Sequence, residues 1–104
     1  MCIWLSMYDI VKMLKAIADG NRYKIFNLLM DNGETCACEL LKDFDISQPT
    51  LSRHMKVMVD SGLISARKDA QWMKYSVNPE ALKELKDAIS VTVPGDIPVM
   101  RKAN

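Results

Sequence analysis

Apolar residues recur at helical spacing through the first third of the chain. Met7, Ile10, Val11, Leu14, Ile17 and Ala18 share one stripe, with Asp9, Lys12 and Lys15 between them, which predicts a helix over 7–18. Gly20 stops that helix or opens the next. Ile25, Phe26, Leu28 and Leu29 repeat the pattern over 21–31, and Asn32-Gly33 marks a turn. Thr35 is placed to cap a short helix over about 36–43 with Leu40, Leu41 and Phe44 inward. After the break at Asp45-Ile46, Ser47 is the expected N-cap of a longer helix reaching Ser61. Pro49 sits in its first turn, Leu51, Met55, Met58 and Val59 form its apolar stripe, and Gly62 follows its end.

The period then changes. Leu63–Arg67 and Trp72–Val77 have strand character and are joined by Lys68–Gln71, which predicts a hairpin. Pro79 opens a last helix with Leu82, Leu85, Ala88 and Ile89 on one face. Residues 93–104, with Pro94, Gly95 and Pro98, are expected to form an irregular tail. The expected order is α-α-α-α-β-β-α, mainly α with a β-hairpin. A short helix, a tight turn and a longer polar-faced helix make a helix-turn-helix, and the hairpin directly after it is a wing. Residues 1–92 therefore form one winged helix-turn-helix domain.

With 104 residues, 49% of them apolar, the chain holds one small core, and dimerisation is the expected way to reinforce it. The net charge of +1 is uninformative, but its distribution is not. Residues 47–78 carry five Lys/Arg (Arg53, Lys56, Arg67, Lys68, Lys74) against two Asp/Glu, whereas residues 1–46 carry five against seven. The positive charge is local to the second helix of the motif and the hairpin, as a polyanion-binding face requires. No stretch approaches the roughly 18 apolar residues that span a membrane. The apolar opening Met1–Met7 lacks a basic segment before it, so it does not resemble a secretory signal. A cytoplasmic location is expected, where cysteines serve as thiols, metal ligands or redox sensors rather than as structural disulfides.

The helix over 47–61 carries the candidate DNA-reading residues. Ser47, Gln48, Thr50, Ser52, Arg53 and His54 cluster toward its start, with Lys56 one turn on. Gln pairs with adenine, Arg with guanine, and hydroxyls with bases or phosphates. The free N–H groups and dipole of the helix start favour a phosphate. Arg67, Lys68 and Lys74 on the hairpin are placed to reach the backbone or minor groove beside it. Such residues also decorate any solvated helix. It is their combination with the wing and the local charge that points to double-stranded DNA.

At this point the chain resembles the ArsR/SmtB family of metal-responsive repressors over residues 8–90. The stretches that carry the resemblance are LKAIADGNRYKIFNLL (14–29), TCACELLKDFDISQPTLSRHMKVMVDSGLI (35–64) and WMKYSVNPEAL (72–82). The resemblance implies a homodimer held by the first and last helices, binding an imperfect inverted repeat in operator DNA. One departure is DGNR at 19–22, where the family usually has DPTR; Arg22 is retained.

Cys36 and Cys38 stand at the start of the short helix, within ETCACEL. Paired thiolates select soft ions, and a helix N-terminus favours the thiolate form. Arsenic, cadmium and lead sensors of the family carry a CxC at this place. As(III) and Sb(III) are thus the expected inducers, with cadmium or lead as the alternative, and no cofactor is expected for folding. On a regular helix, residues two apart point about 200° from each other. An ion held by both cysteines would have to distort the first turn, and through it the DNA-reading helix. As(III) prefers three thiolates. The position three after the pair, where the resemblance places a third cysteine, is Leu41. Cys2 is the remaining thiol, and the resemblance implies that it completes the site, from either subunit. A redox or persulfide switch using the same cysteines is a further reading. It would couple Cys2 to one of the pair, since a Cys36–Cys38 disulfide would be strained.

Other chemistry fits poorly. The last helix has no His for a zinc site, and His54 is the only His in the chain. The eight methionines suit core filling better than a copper site. No glycine-rich phosphate loop or nucleophile–base pair suggests an enzyme. A helical interaction module that binds no DNA is the reading from another class, and the basic wing argues against it.

Overall fold

The computed structural model describes residues 7–92; the expected tail 93–104 and Cys2 lie outside the described residues. The elements run α1 (Met7–Ile17), α2 (Gly20–Asn32), β1 (Thr35–Cys36), α3 (Ala37–Asp43), α4 (Gln48–Asp60), β2 (Ile64–Asp69), β3 (Trp72–Val77) and α5 (Pro79–Thr92). This is a winged helix-turn-helix with one strand more than the pattern predicted. The sheet is antiparallel in the order β1-β3-β2. Among the described residues no helix is long and apolar enough to cross a membrane.

Caps fix the helix ends. The Asp19 side chain accepts from the Asn21 and Arg22 N–H groups at 3.1 and 3.2 Å, so α2 begins at Gly20. Ser47 caps α4, and Asn78 Oδ1 accepts from the Glu80 and Ala81 N–H groups ahead of α5. Gly62, at φ 89°, turns the chain out of α4 in the left-handed region where a side chain would be strained.

The expectation at Thr35 is corrected. Thr35 does not cap α3; it belongs to β1, its side chain is buried, and its hydroxyl donates to the Gly33 carbonyl at 2.9 Å. Cys36 takes the cap. The hairpin also closes more tightly than expected, since Lys68 and Asp69 belong to β2 and only Ala70-Gln71 forms the turn.

The main core joins Ile25 and Leu29 of α2, Leu40 of α3, Leu51, Met55 and Met58 of α4, Ile64 of β2 and Tyr75 of β3. A smaller cluster joins Met13, Leu63 and Leu85, fastening α1 to α5. Burial of such side chains contributes about 1.5–3 kcal/mol each, which is what seats α4 and the sheet against one another. The apolar stripe of α1 is wider than one face. Met13 and Ala16 are sealed at 1% and 0% exposure, while Val11 and Leu14 stay open at 38% and 39%. On α5 the expected inward Ile89 is likewise 46% exposed.

Candidate nucleic-acid interface and thiol pair

The start of α4 is built by its cap. Ser47 Oγ accepts from the Thr50 N–H at 3.3 Å and donates to Thr50 Oγ1 at 3.0 Å. Both hydroxyls are therefore engaged in holding the first turn, with Ser47 exposed and Thr50 half-buried. Gln48, Ser52 and Arg53 are exposed beyond them. Arg53 makes no ion pair among the described residues, so its guanidinium is available to a ligand. Lys56 is exposed but pairs with Asp60 one turn on, at 3.2 Å.

His54 sits apart from this group. It is half-buried, and its Nδ1 lies 3.3 Å from Arg22 Nη1, while Arg22 Nε donates to the Ala16 carbonyl at 2.6 Å. A guanidinium only donates, so Nδ1 is the acceptor in this contact. Arg22 thereby ties the end of α1 to α4, a role that nothing in the spacing of the two residues announced.

The wing presents three cations in two states. Lys68 is exposed and makes no ion pair among the described residues. Arg67 is gripped by Glu34, with Nε–Oε2 at 2.9 Å and Nη2–Oε1 at 2.8 Å. This pair holds the Glu34 carboxyl below its ordinary range, chiefly through the Arg67 hydrogen bond. Lys74 pairs with Asp69 at 3.0 Å. The basic residues of the wing were legible in the sequence; their carboxylate partners were not.

The thiols lie where β1 becomes α3. Cys36 has extended backbone, φ −74° and ψ 144°, and is the N-cap of α3. Its Sγ accepts from the Cys38 N–H at 3.2 Å, and its own N–H donates to Glu39 Oε1 at 3.3 Å. Because Cys36 is not helical, the opposed directions expected for two residues on one helix do not apply. The two side chains share a hydrogen bond. That bond holds the Cys36 thiol below its ordinary range, helped by the Cys38 and Glu39 backbone bonds. The same bond raises Cys38, and burial adds to the rise. The two cysteines are thus joined at the start of α3, with Cys36 the more acidic of the two. Among the described residues no group of three Cys, His, Asp or Glu is arranged to hold a metal ion.

The neighbours of α3 bear on the expectation that a distorted first turn would distort α4. α3 packs chiefly on β3 and β1, while α4 packs on β2, α1 and α2. In the sheet Cys36 is directly opposite Lys74, and Lys74 is directly opposite Arg67. Opposed residues put their side chains on the same face, with Cβ atoms about 5 Å apart. The thiol strand and the wing are thus consecutive rungs of one ladder.

Residues 19–66 match the model of a bacterial regulatory protein family, the arsR family. Over 87 residues the chain is 39% identical to an arsenical resistance operon repressor of Staphylococcus aureus, covering 84% of this chain and 83% of that protein. The chain belongs to the arsR family. Members of this family are transcriptional regulators, not enzymes. A cadmium resistance transcriptional regulatory protein homologue, also of Staphylococcus aureus, is 32% identical over 77 residues, 74% of this chain and 64% of that protein. In fold, this arsR-family chain matches a homodimeric winged helix-turn-helix DNA-binding domain from Mycobacterium bovis. The TM-score is 0.67 at 21% identity, over 83% of this chain and 80% of that one.

Proposed function

We propose that this regulator binds an inverted repeat in operator DNA as a homodimer and represses transcription. It is released when a soft, thiophilic ion, As(III) or Sb(III), binds Cys36 and Cys38. The observation that carries the reading is the junction of the two cysteines at the start of α3, where Cys36 Sγ accepts from the Cys38 N–H at 3.2 Å. Two adjacent sulfur donors, of the three As(III) prefers, fit a soft ion better than a hard one. Cys2 supplies the third thiolate in this proposal.

Gln48, Ser52 and Arg53 are the base-reading candidates in the major groove, with Ser47, Thr50 and Lys56 at the backbone. Lys68, Lys74 and Arg67 flank the groove from the wing, and His54 acts through its bond to Arg22. Val11, Leu14 and Ile89 leave apolar surface on α1 and α5, which supports pairing of two copies through those helices. The relatives' names support arsenical or cadmium resistance as the setting. A location in the cytoplasm belongs to the same proposal.

Ion binding favours a geometry of β1 and the start of α3 that differs from the DNA-bound one, and this difference in affinity is what releases the operator. The ladder from Cys36 through Lys74 to Arg67 gives it a route to the wing. The test is fluorescence anisotropy of the reduced protein on its own promoter fragment during an arsenite titration. Release near one equivalent per site, lost in Cys36→Ser, is the expected result. Release by cadmium or lead alone moves the inducer to those ions, and release only by oxidant or persulfide moves it to redox control. Release of Cys36→Ser by arsenite places the sensor elsewhere.

A further inference from the structure

We infer that Glu34 is an internal competitor for the DNA phosphate that wing residue Arg67 would otherwise hold, so that operator affinity is set below what the wing's charge permits. The inference rests on the DNA-binding reading above and concerns the regulation of that surface.

Two contacts of near-ideal length, 2.9 and 2.8 Å, join both carboxylate oxygens to Nε and Nη2 of Arg67. This fork-on-fork arrangement is the one arginine uses for a phosphodiester as well as for a carboxylate. A guanidinium so engaged has committed its Nε–Nη2 edge, one of the two forked edges it would offer to DNA. The partners come from segments 33 residues apart, so the pair is a tertiary contact rather than a local accident. Thr35 and Cys36 hold Glu34 in position. Thr35 is buried and bonded to Gly33, and Cys36 is paired with β3. The carboxylate therefore projects from the bend that leads directly into a paired strand. Arg67 also lies opposite Lys74, and like charges so placed repel. Glu34 on one and Asp69 on the other relieve that repulsion, and each carboxylate competes for a cation that the reading above sets beside the groove. Lys68, next to Arg67 in sequence, keeps no such partner among the described residues.

Glu34 is also two residues before Cys36. An ion that repositions Cys36 moves the residue that grips Arg67, so the strength of the competition changes with occupancy of the thiols.

A double-mutant cycle tests the inference. Operator binding is measured by anisotropy, over a range of salt, for the wild type, Glu34→Gln, Arg67→Gln and the double variant. Glu34→Gln is expected to tighten binding about two- to fivefold per wing, the scale of one exposed ion pair. It should also steepen the salt dependence by about 0.9 in log–log slope, the signature of one more phosphate contact. In the Arg67→Gln background the same change should do nothing. A gain that persists without Arg67 means that Glu34 merely repels DNA, and no gain at all means that the pair does not compete; either overturns the inference while leaving the DNA reading intact. Failure of every form to bind the duplex would sink the DNA reading and this inference together. A parallel measurement needs no DNA: the Arg67 Nε–H resonance in a nitrogen–proton spectrum should be slowed and shifted by the pair, and Glu34→Gln should return it to the solvent-exposed position. An unchanged resonance overturns the pairing itself.

Discussion

Arg22 bonds the last turn of α1 and the flank of α4 with one guanidinium, donating to the Ala16 carbonyl at 2.6 Å and facing His54 Nδ1 at 3.3 Å. The orientation of α4 is thereby referred to α1, the helix whose outer face carries Val11 and Leu14. Arg22→Ala removes both bonds and leaves a partly buried carbonyl and ring nitrogen to water. We expect a loss of about 1–3 kcal/mol in stability and weaker operator binding, although Arg22 touches no DNA in the proposal. Arg22→Lys should recover only part of it, because an ammonium lacks the planar fork that spans the two acceptors. Thermal melts of the three proteins check this; a melting temperature unchanged in Arg22→Ala would falsify the tie.

The unequal thiols have a direct chemical readout. Cys36 is lowered and Cys38 raised by the bond they share, and the thiolate is the nucleophile. Alkylation mapped by mass spectrometry across pH should therefore begin at Cys36 at a lower pH than at Cys38. Unfolding should erase the difference, since both then sit in ordinary chain. If Cys38 is modified first in the folded protein, the thiolate has been assigned to the wrong sulfur.

Arg53 is exposed on α4 and free of ion pairs among the described residues, so its removal tests recognition without disturbing the core. Arg53→Ala is expected to cost about 1–3 kcal/mol per half-site in operator binding and to relax base preference at one position. Its melting temperature should match the wild type. Wild-type affinity in the variant would remove Arg53 from the base-reading set.

Asp19 supplies a pH dependence whose sign is fixed by its cap. The Arg22 backbone N–H bond, reinforced by the Arg22 charge and the Asn21 N–H bond, holds the carboxyl below its ordinary value against the opposing effect of burial. A group lowered on folding contributes stability above its unfolded pKa and loses that contribution as pH falls through the folded value. Asp19→Asn keeps a capping oxygen but not the charge. Wild type should exceed Asp19→Asn in melting temperature at neutral pH, and the two should converge in acid. A gap that widens on acidification would contradict the shift.

The helices, the cap at Ser47, the hairpin and the exposed residues at the start of α4 were all legible from apolar periodicity and turn chemistry. Those signals are local, and long-range contacts leave no trace in them. Thr35 is read as a cap from its type, yet its fate is decided by Tyr75, its cross-strand partner 40 positions later. Two residues are too few to show strand alternation, so β1 could only be found in space. The same holds for Glu34 on Arg67 and for Arg22 on His54. The apolar spread of α1 was visible, but which residues would be sealed depended on where α5 lies. Cys36 and Cys38 were recognisable as a pair, whereas their shared orientation followed from the extended backbone at Cys36.

The sheet also bears on how the protein behaves when many copies crowd together. A three-stranded sheet has two open margins, and each is a row of backbone groups ready to recruit a foreign strand. Here one margin is β1, only two residues long, and its chain turns at once into α3. The other is β2, where Arg67, Lys68 and Asp69 stand in succession. A margin too short to template and a margin too charged to stack leave little for amyloid-like growth to begin on. The charges that the proposal sets against a polyanion therefore also keep the wing from its own kind.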